Sequence, residues 1–261
     1  MTPFRERYGP WALVAGASAG LGEAFARRLA ARGLNLVLVA RRAAALEVLA
    51  ADLRRAHGVE ARPAPIDLAD PGAGAAAIRA AAGLEVGLLV YNAAHSAIGP
   101  FLERPIEEHL RVVDVNCRGP LVLAHGLGGA MAARGRGGIL LMTSLAASQG
   151  NPLLASYAAS KAFDLVLAEG LWAELRGRGV DVLACRAGAT RTPGYAASRP
   201  RRSVPLMEAD DVARGALAAL GRRPSTVTGA LNRVAAFAFA RLLPRRTSIQ
   251  IMGRATRRLY G

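Results

Sequence analysis

Lysine occurs once in this 261-residue chain, at position 161, although lysine and arginine together number 34. Whatever bias replaced lysine by arginine elsewhere did not operate there, and the two are not interchangeable where a compact, tunable ammonium is needed. Cysteine occurs twice, as Cys117 and Cys185, in apolar contexts and without metal-ligand spacing. That excludes a disulfide framework and a cysteine-rich metal site, and suits small buried hydrophobes in a reducing compartment. Aromatic residues make up 5% and are not interleaved with basic ones, so a nucleic-acid stacking surface is not expected. Acidic residues are missing from the last fifty positions, where ten arginines supply +10 of the net charge of +15. A long apolar run is missing too. The longest uncharged stretch, Gly137 to Ser160, is interrupted by Ser144, Ser148, Gln149, Gly150, Asn151 and Pro152, which excludes a membrane span. The first ten residues carry Arg5, Glu6 and Arg7 and no apolar core of a signal peptide, so a soluble, cytoplasmic protein is expected.

What is present is ample apolar material: 52% hydrophobic and 20% charged residues can bury a core as one domain with a small appendage. Short apolar runs at Trp11–Ala15, Asn35–Ala40, Val59–Ile66, Val86–Tyr91, Ile139–Thr143 and Val180–Arg186 read as strands. Between them, 23–32, Ala43–His57, 73–82, 106–133 and 157–176 read as helices. Strands alternating with helices at this interval predict an α/β fold with a doubly wound parallel sheet, which places ligands at the carboxyl ends of the strands.

The polar residues of interest fall at those ends. After the first strand, Gly16-Ala-Ser18-Ala-Gly20-Leu21-Gly22 opens a helix. Gly16 allows the tight turn, Gly20 lets backbone approach a pyrophosphate, and Gly22 lets helix and strand pack closely. After the second strand stand Arg41 and Arg42. An acid there would hold a ribose diol and repel a 2′-phosphate; arginine pairs with the phosphate. Ser144 ends the fifth strand, and Tyr157 lies one helical turn before Lys161, so phenol and ammonium share a helix face. A cation beside a phenol favours the phenolate and prepares it to exchange a proton near neutral pH. That equipment suits reduction of a carbonyl or oxidation of an alcohol. His57, His95, His109 and His125 have no partners at ligand spacing, so no metal site is expected.

Together these motifs resemble the short-chain dehydrogenase/reductase (SDR) family over roughly Pro10 to Val227, with a Rossmann-type fold implied. The family's Thr-Gly-x-x-x-Gly-x-Gly stands as Ala15 to Gly22, and its Asn-Asn-Ala-Gly as Tyr91-Asn92-Ala93-Ala94. Its Asn, Ser, Tyr and Lys match Asn116, Ser144, Tyr157 and Lys161, with the serine and tyrosine thirteen positions apart. Its Pro-Gly-x-x-x-Thr stands as Ala187 to Thr192. The resemblance implies that Tyr157 donates a proton to the substrate oxygen and that Ser144 orients that oxygen. Lys161 would hold the nicotinamide ribose, and Asn116 a water that links the lysine to solvent. Gly16, Gly20, Leu21 and Gly22 would carry the pyrophosphate, Asp67 and Leu68 border the adenine, Asn92 and Ala93 the ribose region, and Gly188 and Thr192 the nicotinamide amide. Ser18 would join Arg41 at the 2′-phosphate. The departures from the family pattern are Ala15, Tyr91, Ala94 and Ala187.

The expected activity is reduction of a ketone or aldehyde with NADP(H), with NAD(H) as the lesser cofactor. The alternatives are an alcohol dehydrogenase working oxidatively and a nicotinamide-sensing protein without turnover. The division expected is a catalytic domain over 1–229 and a basic helical extension over 230–261. Leu231, Val234, Ala238 and Leu242 recur at helical spacing, and Pro244 separates a second helix. That extension would roof the substrate cleft, form a contact in a homodimer or homotetramer, or rest on a membrane surface. Each use implies a lipophilic small-molecule substrate.

Overall fold

The computed structural model describes residues 3–202 and 204–261. Met1, Thr2 and Ser203 lie outside the described residues; Ser203 falls in the segment 193–205, where the resemblance implies a substrate loop. A short helix, α1 (Phe4–Tyr8), leads into β1 (Trp11–Ala15), whose five residues are all buried. The glycine turn passes into α2 (Gly20–Ala30), then β2 (Asn35–Ala40), α3 (Ala43–His57), β3 (Ala61–Pro65), α4 (Ala73–Ala80) and β4 (Val86–Tyr91). Next come α5 (Ile106–Val113), a π-helical turn at Asp114–Arg118, α6 (Gly119–Arg134) and β5 (Gly137–Ser144). The second half holds α7 (Ala155–Leu175), β6 (Val180–Ala187), β7 (Thr190–Arg191), α8 (Pro193–Ala197) and β8 (Met207–Glu208). It ends with α9 (Ala209–Ala219), β9 (Ser225–Val227), α10 (Ala230–Arg241) and α11 (Arg245–Tyr260).

Seven strands form one sheet in the order β3-β2-β1-β4-β5-β6-β9, every neighbouring pair parallel. This is the Rossmann-type doubly wound sheet. Its inner strands are nearly unbroken apolar runs because both faces are covered. On one face Phe25 and Leu29 of α2, Leu46 and Leu53 of α3, and Val212 and Ala216 of α9 pack on the sheet. On the other lie Ala77 of α4, Leu123 and Met131 of α6 and Ala168 of α7. The edges are weaker. Pro63 and Pro65 stand in β3, which is shorter than the apolar run suggested, and proline is tolerated at an edge because it need not donate to the ladder. β9, three residues long, closes the other edge and was not anticipated from the sequence.

The extension folds as two helices broken at Pro244, and it lies against the Rossmann core. Thr256 donates to Asn151 Oδ1 at 2.6 Å, the Arg201 amide donates to the Leu259 carbonyl at 2.8 Å, and Gly253 sits against the Pro152 ring, closely enough that a Cβ there would lie 3.0 Å from it.

Candidate active site

Strand order reverses between β1 and β4, and the carboxyl ends of the strands open there on a cavity of about 1160 Å³. At one end lies the glycine turn. Gly16 has φ +83°, and a Cβ on it would stand 2.7 Å from the Ala93 amide nitrogen. Gly20, at φ +59°, lies against the Thr192 side chain. Gly22 is in the floor: a Cβ there would come within 1.9 Å of the Gly16 carbonyl oxygen. Ala19 offers α2 no side-chain cap, so the first amides of that helix stay available to an anion.

Basic residues edge this end. Arg42 donates from Nη2 to the Ser18 carbonyl at 2.9 Å and to Ser18 Oγ at 3.2 Å. Arg41 stands 3.9 Å from Asp67, whose other oxygen accepts from Arg111 at 2.9 Å. Of the two arginines it is Arg42 that meets Ser18; two consecutive arginines at a strand end point to opposite sides, and sequence alone does not say which meets the turn. Arg111, in the last turn of α5, was not anticipated, because it lies outside the motifs. Leu21, Leu68, Asn92 and Ala93 also line the cavity, and the Asn92 amide donates to the Gly16 carbonyl at 3.3 Å.

At the other end Ser144, Tyr157 and Lys161 share one wall. Ser144 ends β5 and accepts from the Ala146 amide at 3.1 Å, which fixes its side chain at the strand terminus. Tyr157 and Lys161 occupy successive turns of α7, and Thr143 donates to the Lys161 carbonyl at 2.6 Å, which clamps that helix to β5. Lys161 is 2% exposed. Its Nζ donates to the Met142 carbonyl at 2.8 Å and to Asp164 Oδ2 at 2.9 Å. Burial works against its charge, but the Asp164 carboxylate, with Tyr157 adding to it, outweighs burial and raises the ammonium above the ordinary lysine value.

Asn116 does not line the cavity. It sits, fully buried, in the π-helical turn, a distortion common at functional sites. Its Oδ1 accepts from the His95 amide, and its Nδ2 donates to the His95 carbonyl and to Ser160 Oγ, each at 2.8 Å. Ser160 in turn donates to the Tyr157 carbonyl at 2.8 Å. Asn116 thus joins the loop after β4 to the helix turn that carries Tyr157. His95, read from the sequence as a surface or packing residue, lines the cavity with Nε2 buried and unpartnered; burial first, then Arg111, holds its imidazole below the ordinary value.

Tyr91, where the family has asparagine, is buried and donates to the Val115 carbonyl; Gly119 makes room, since a Cβ there would lie 2.1 Å from the phenol oxygen. Gly188 faces Asn232 of α10, whose Nδ2 would stand 2.4 Å from a Cβ. Thr192 caps α8, accepting from the Tyr195 amide at 3.1 Å. The roof consists of Tyr195 of α8, Ser198, Arg202 and Val204 from the segment after it, and Met252, Thr256, Arg258, Leu259 and Tyr260 of α11, a mixture of apolar and cationic side chains. Roofing is one of the three uses open to the extension; of the helical stripe read from the sequence, Leu231, Val234 and Leu242 are exposed, at 80%, 69% and 68%. Helical periodicity shows that a segment has an apolar face, not which neighbour it meets.

Among the described residues no group of three or more His, Cys, Asp or Glu could hold a metal, and no helix is long and apolar enough to cross a membrane.

Comparison with known proteins places these features in a family. The family model described as short chain dehydrogenase matches residues 10–203. The chain is 36% identical over 196 residues to a 7beta-hydroxysteroid dehydrogenase of Collinsella aerofaciens, covering 75% of this chain and 74% of that one. A solved structure described for 7beta-hydroxysteroid dehydrogenase stereoselectivity superposes with a TM-score of 0.91 at 30% identity, over 96% of this chain and 99% of that one. A short-chain dehydrogenase from Sphingobium yanoikuyae solved in complex with NADPH gives 0.78 at 33% identity, over 90% and 94%.

Proposed function

We propose, from the premise that the chain belongs to the short-chain dehydrogenase/reductase family and is an oxidoreductase, that it reduces a bulky, lipophilic ketone with NADPH. The observation that carries this reading is the convergence of Ser144, Tyr157 and Lys161 on one wall of a cavity whose far end is a glycine turn edged by arginines. Three positions without Cβ atoms, an uncapped helix N-terminus and Arg42 beside Ser18 suit a dinucleotide with a 2′-phosphate, and the relative solved with NADPH supports the same cofactor. NADPH held there would supply the hydride that the carbonyl carbon takes up. Tyr157 gives its phenolic proton to the carbonyl oxygen as that oxygen gains charge, and Ser144 donates a hydrogen bond to the same oxygen. Lys161, with two of its donors taken by the Met142 carbonyl and Asp164, would hold the cofactor's ribose with the third. The apolar members of the roof, Tyr195, Val204, Met252, Leu259 and Tyr260, favour a large hydrocarbon body, in keeping with relatives named for a hydroxysteroid, and Arg202 and Arg258 stand beside them.

Self-association is supported by α5, where Ile106, Leu110 and Val113 form an exposed apolar stripe, continued by Leu121 of α6 and Val166 of α7. A homodimer through this face is the proposed state. The face of α10 that carries Leu231, Val234 and Phe237 is exposed between arginines, which supports a peripheral contact with an anionic membrane.

The test is a panel of ketones, from acetone-sized to steroid-sized, with consumption of NADPH followed by absorbance. Tyr157→Phe is expected to lower kcat about 10²- to 10⁴-fold with NADPH binding intact, the range of a lost general acid. Turnover within a few-fold of the parent removes the proposal.

A further inference from the structure

The residue that faces Lys161 from one turn further along α7 is an acid. Asp164 Oδ2 accepts from Lys161 Nζ at 2.9 Å, and the two side chains are 1% and 3% exposed. Its second oxygen, Oδ1, is buried without a hydrogen-bond partner. A buried ion pair with one carboxylate oxygen unsatisfied is a poor device for stability, because desolvation of both charges offsets their attraction and a packed apolar pair does as well. A chemical use is the better account.

An ammonium has three donors. The Met142 carbonyl and Asp164 take two, which leaves one for the cavity that Lys161 lines. We propose that Asp164 is a positioning residue of the reaction: it holds the Lys161 ammonium in one orientation and balances its charge beside Tyr157, and so sets the pH range over which the enzyme reduces its ketone. The proposal rests on the function proposed above.

The titratable groups that face the pair come from three elements: Tyr157 from α7 itself, Cys117 from the π-helical turn and Tyr91 from β4. β5 contributes the Met142 carbonyl and the Thr143 hydroxyl, which carry no charge. Burial, and next the Asp164 charge, pushes the Cys117 thiol up to about 11, and burial raises the Tyr91 phenol. Both stay neutral in the working range; burial raises the Asp164 carboxyl above the ordinary value while the Lys161 charge works against that rise, and the carboxylate that meets Lys161 Nζ at 2.9 Å is the anion that balances it.

Removing that anion leaves a buried ammonium without its counter-charge, which favours loss of the lysine proton. The alkaline limb of the kcat profile for reduction then moves toward acid. Asp164→Asn, nearly isosteric, is expected to shift that limb by about one pH unit or more, within the range of effects of a charge at this distance, and Asp164→Glu is expected to bring it back toward the parent position.

A second measurement needs neither turnover nor a variant that folds well. Because Lys161 is the chain's sole lysine, labelling lysine with ¹³C at Cε gives one NMR signal, whose titration reports this ammonium directly. In the parent protein it is expected to stay protonated past the ordinary lysine value, and in Asp164→Asn to lose its proton at lower pH. An unmoved kcat profile in Asp164→Asn, or a parent lysine that titrates below the ordinary value, overturns the proposal. Failure to reduce any ketone would instead strike the functional reading and leave the titration to decide the role of Asp164.

Discussion

Thirty-three arginines and one lysine pose the same question at each basic position, namely what a planar fork can do that a point charge cannot. At position 161 the pocket between the Met142 carbonyl and Asp164 has room for a compact ammonium with radiating donors. At positions 41 and 42 the fork is the useful shape, since it meets a phosphate with two parallel hydrogen bonds. Arg42 is already held by Ser18, while Arg41 is tied only loosely to Asp67 and its side chain is 64% exposed. Less ordering remains for Arg42 when cofactor binds, so Arg42→Ala is expected to weaken NADPH by about 1.5 to 3 kcal/mol, some ten- to hundredfold, with little change for NADH. Arg41→Ala is expected to have the smaller effect of the two. Fluorescence titration of both cofactors against both variants checks the order, and equal weakening of NADPH and NADH would show that these arginines serve packing alone. The sequence made Ser144, Tyr157, Lys161 and the arginine pair legible because their types and spacing carry chemistry. Asp164 was not legible, since Lys-x-x-Asp is an ordinary helical pair until its burial is known.

Elements were readable wherever period and punctuation agreed. The glycine turn, the six long strands and the helices between them follow from apolar runs bounded by glycine and polar residues. Elements of two or three residues, β7, β8 and β9, carry too short a pattern to stand out, and they form only because β6 and the segments around it align them. The turn from β1 to α2 shows how closely local packing and site geometry coincide. Gly22 lies where helix meets strand, and a methyl group there would overlap the Gly16 carbonyl and approach Asn92 Nδ2 at 2.9 Å. Gly22→Ala is therefore expected to displace the turn and weaken NADPH at least about tenfold, a shift of roughly 1.4 kcal/mol. Gly170, exposed in the middle of α7, meets nothing within 4 Å of a Cβ. Gly170→Ala is expected to raise stability by about 0.5 to 1 kcal/mol, through better helix propensity, and to leave cofactor affinity alone. Thermal unfolding and cofactor titration of the two variants separate the glycine that shapes the site from the one that merely sits in a helix. Should Gly22→Ala bind NADPH as the parent does, the close approach of helix and strand is not what forms the phosphate end.

For the whole molecule, the sequence presented the extension as one amphipathic object with three candidate uses, and the fold divides it. α11 turns inward: Met252, Leu259 and Tyr260 roof the cavity, and Thr256 and Gly253 anchor the helix to Asn151 and Pro152. α10 keeps Asn232 against Gly188 but presents Leu231, Val234 and Phe237 outward, with Arg233 and Arg241 beside them. The roofing proposed for α11 and the membrane contact proposed for α10 thus concern different helices, and they come apart by experiment. Removing residues 245–261 takes away α11's share of the roof and leaves α10 on Gly188. KM for a steroid-sized ketone is then expected to rise about tenfold or more, since each large apolar side chain withdrawn from contact is worth on the order of 1.5 to 3 kcal/mol at most. A short ketone, which does not reach the roof, is expected to keep its KM. The double substitution Leu231→Glu and Phe237→Glu puts acid on the outward face of α10 without touching the cavity. It is expected to leave both KM values in place and to abolish co-sedimentation with anionic vesicles, measured at low salt where the ten arginines of the last fifty residues are least screened. If the parent enzyme itself stays in the supernatant under those conditions, the membrane contact fails. The exposed stripe on α10 then falls to a second copy of the chain, and sedimentation of the parent against the double variant would show a loss of mass.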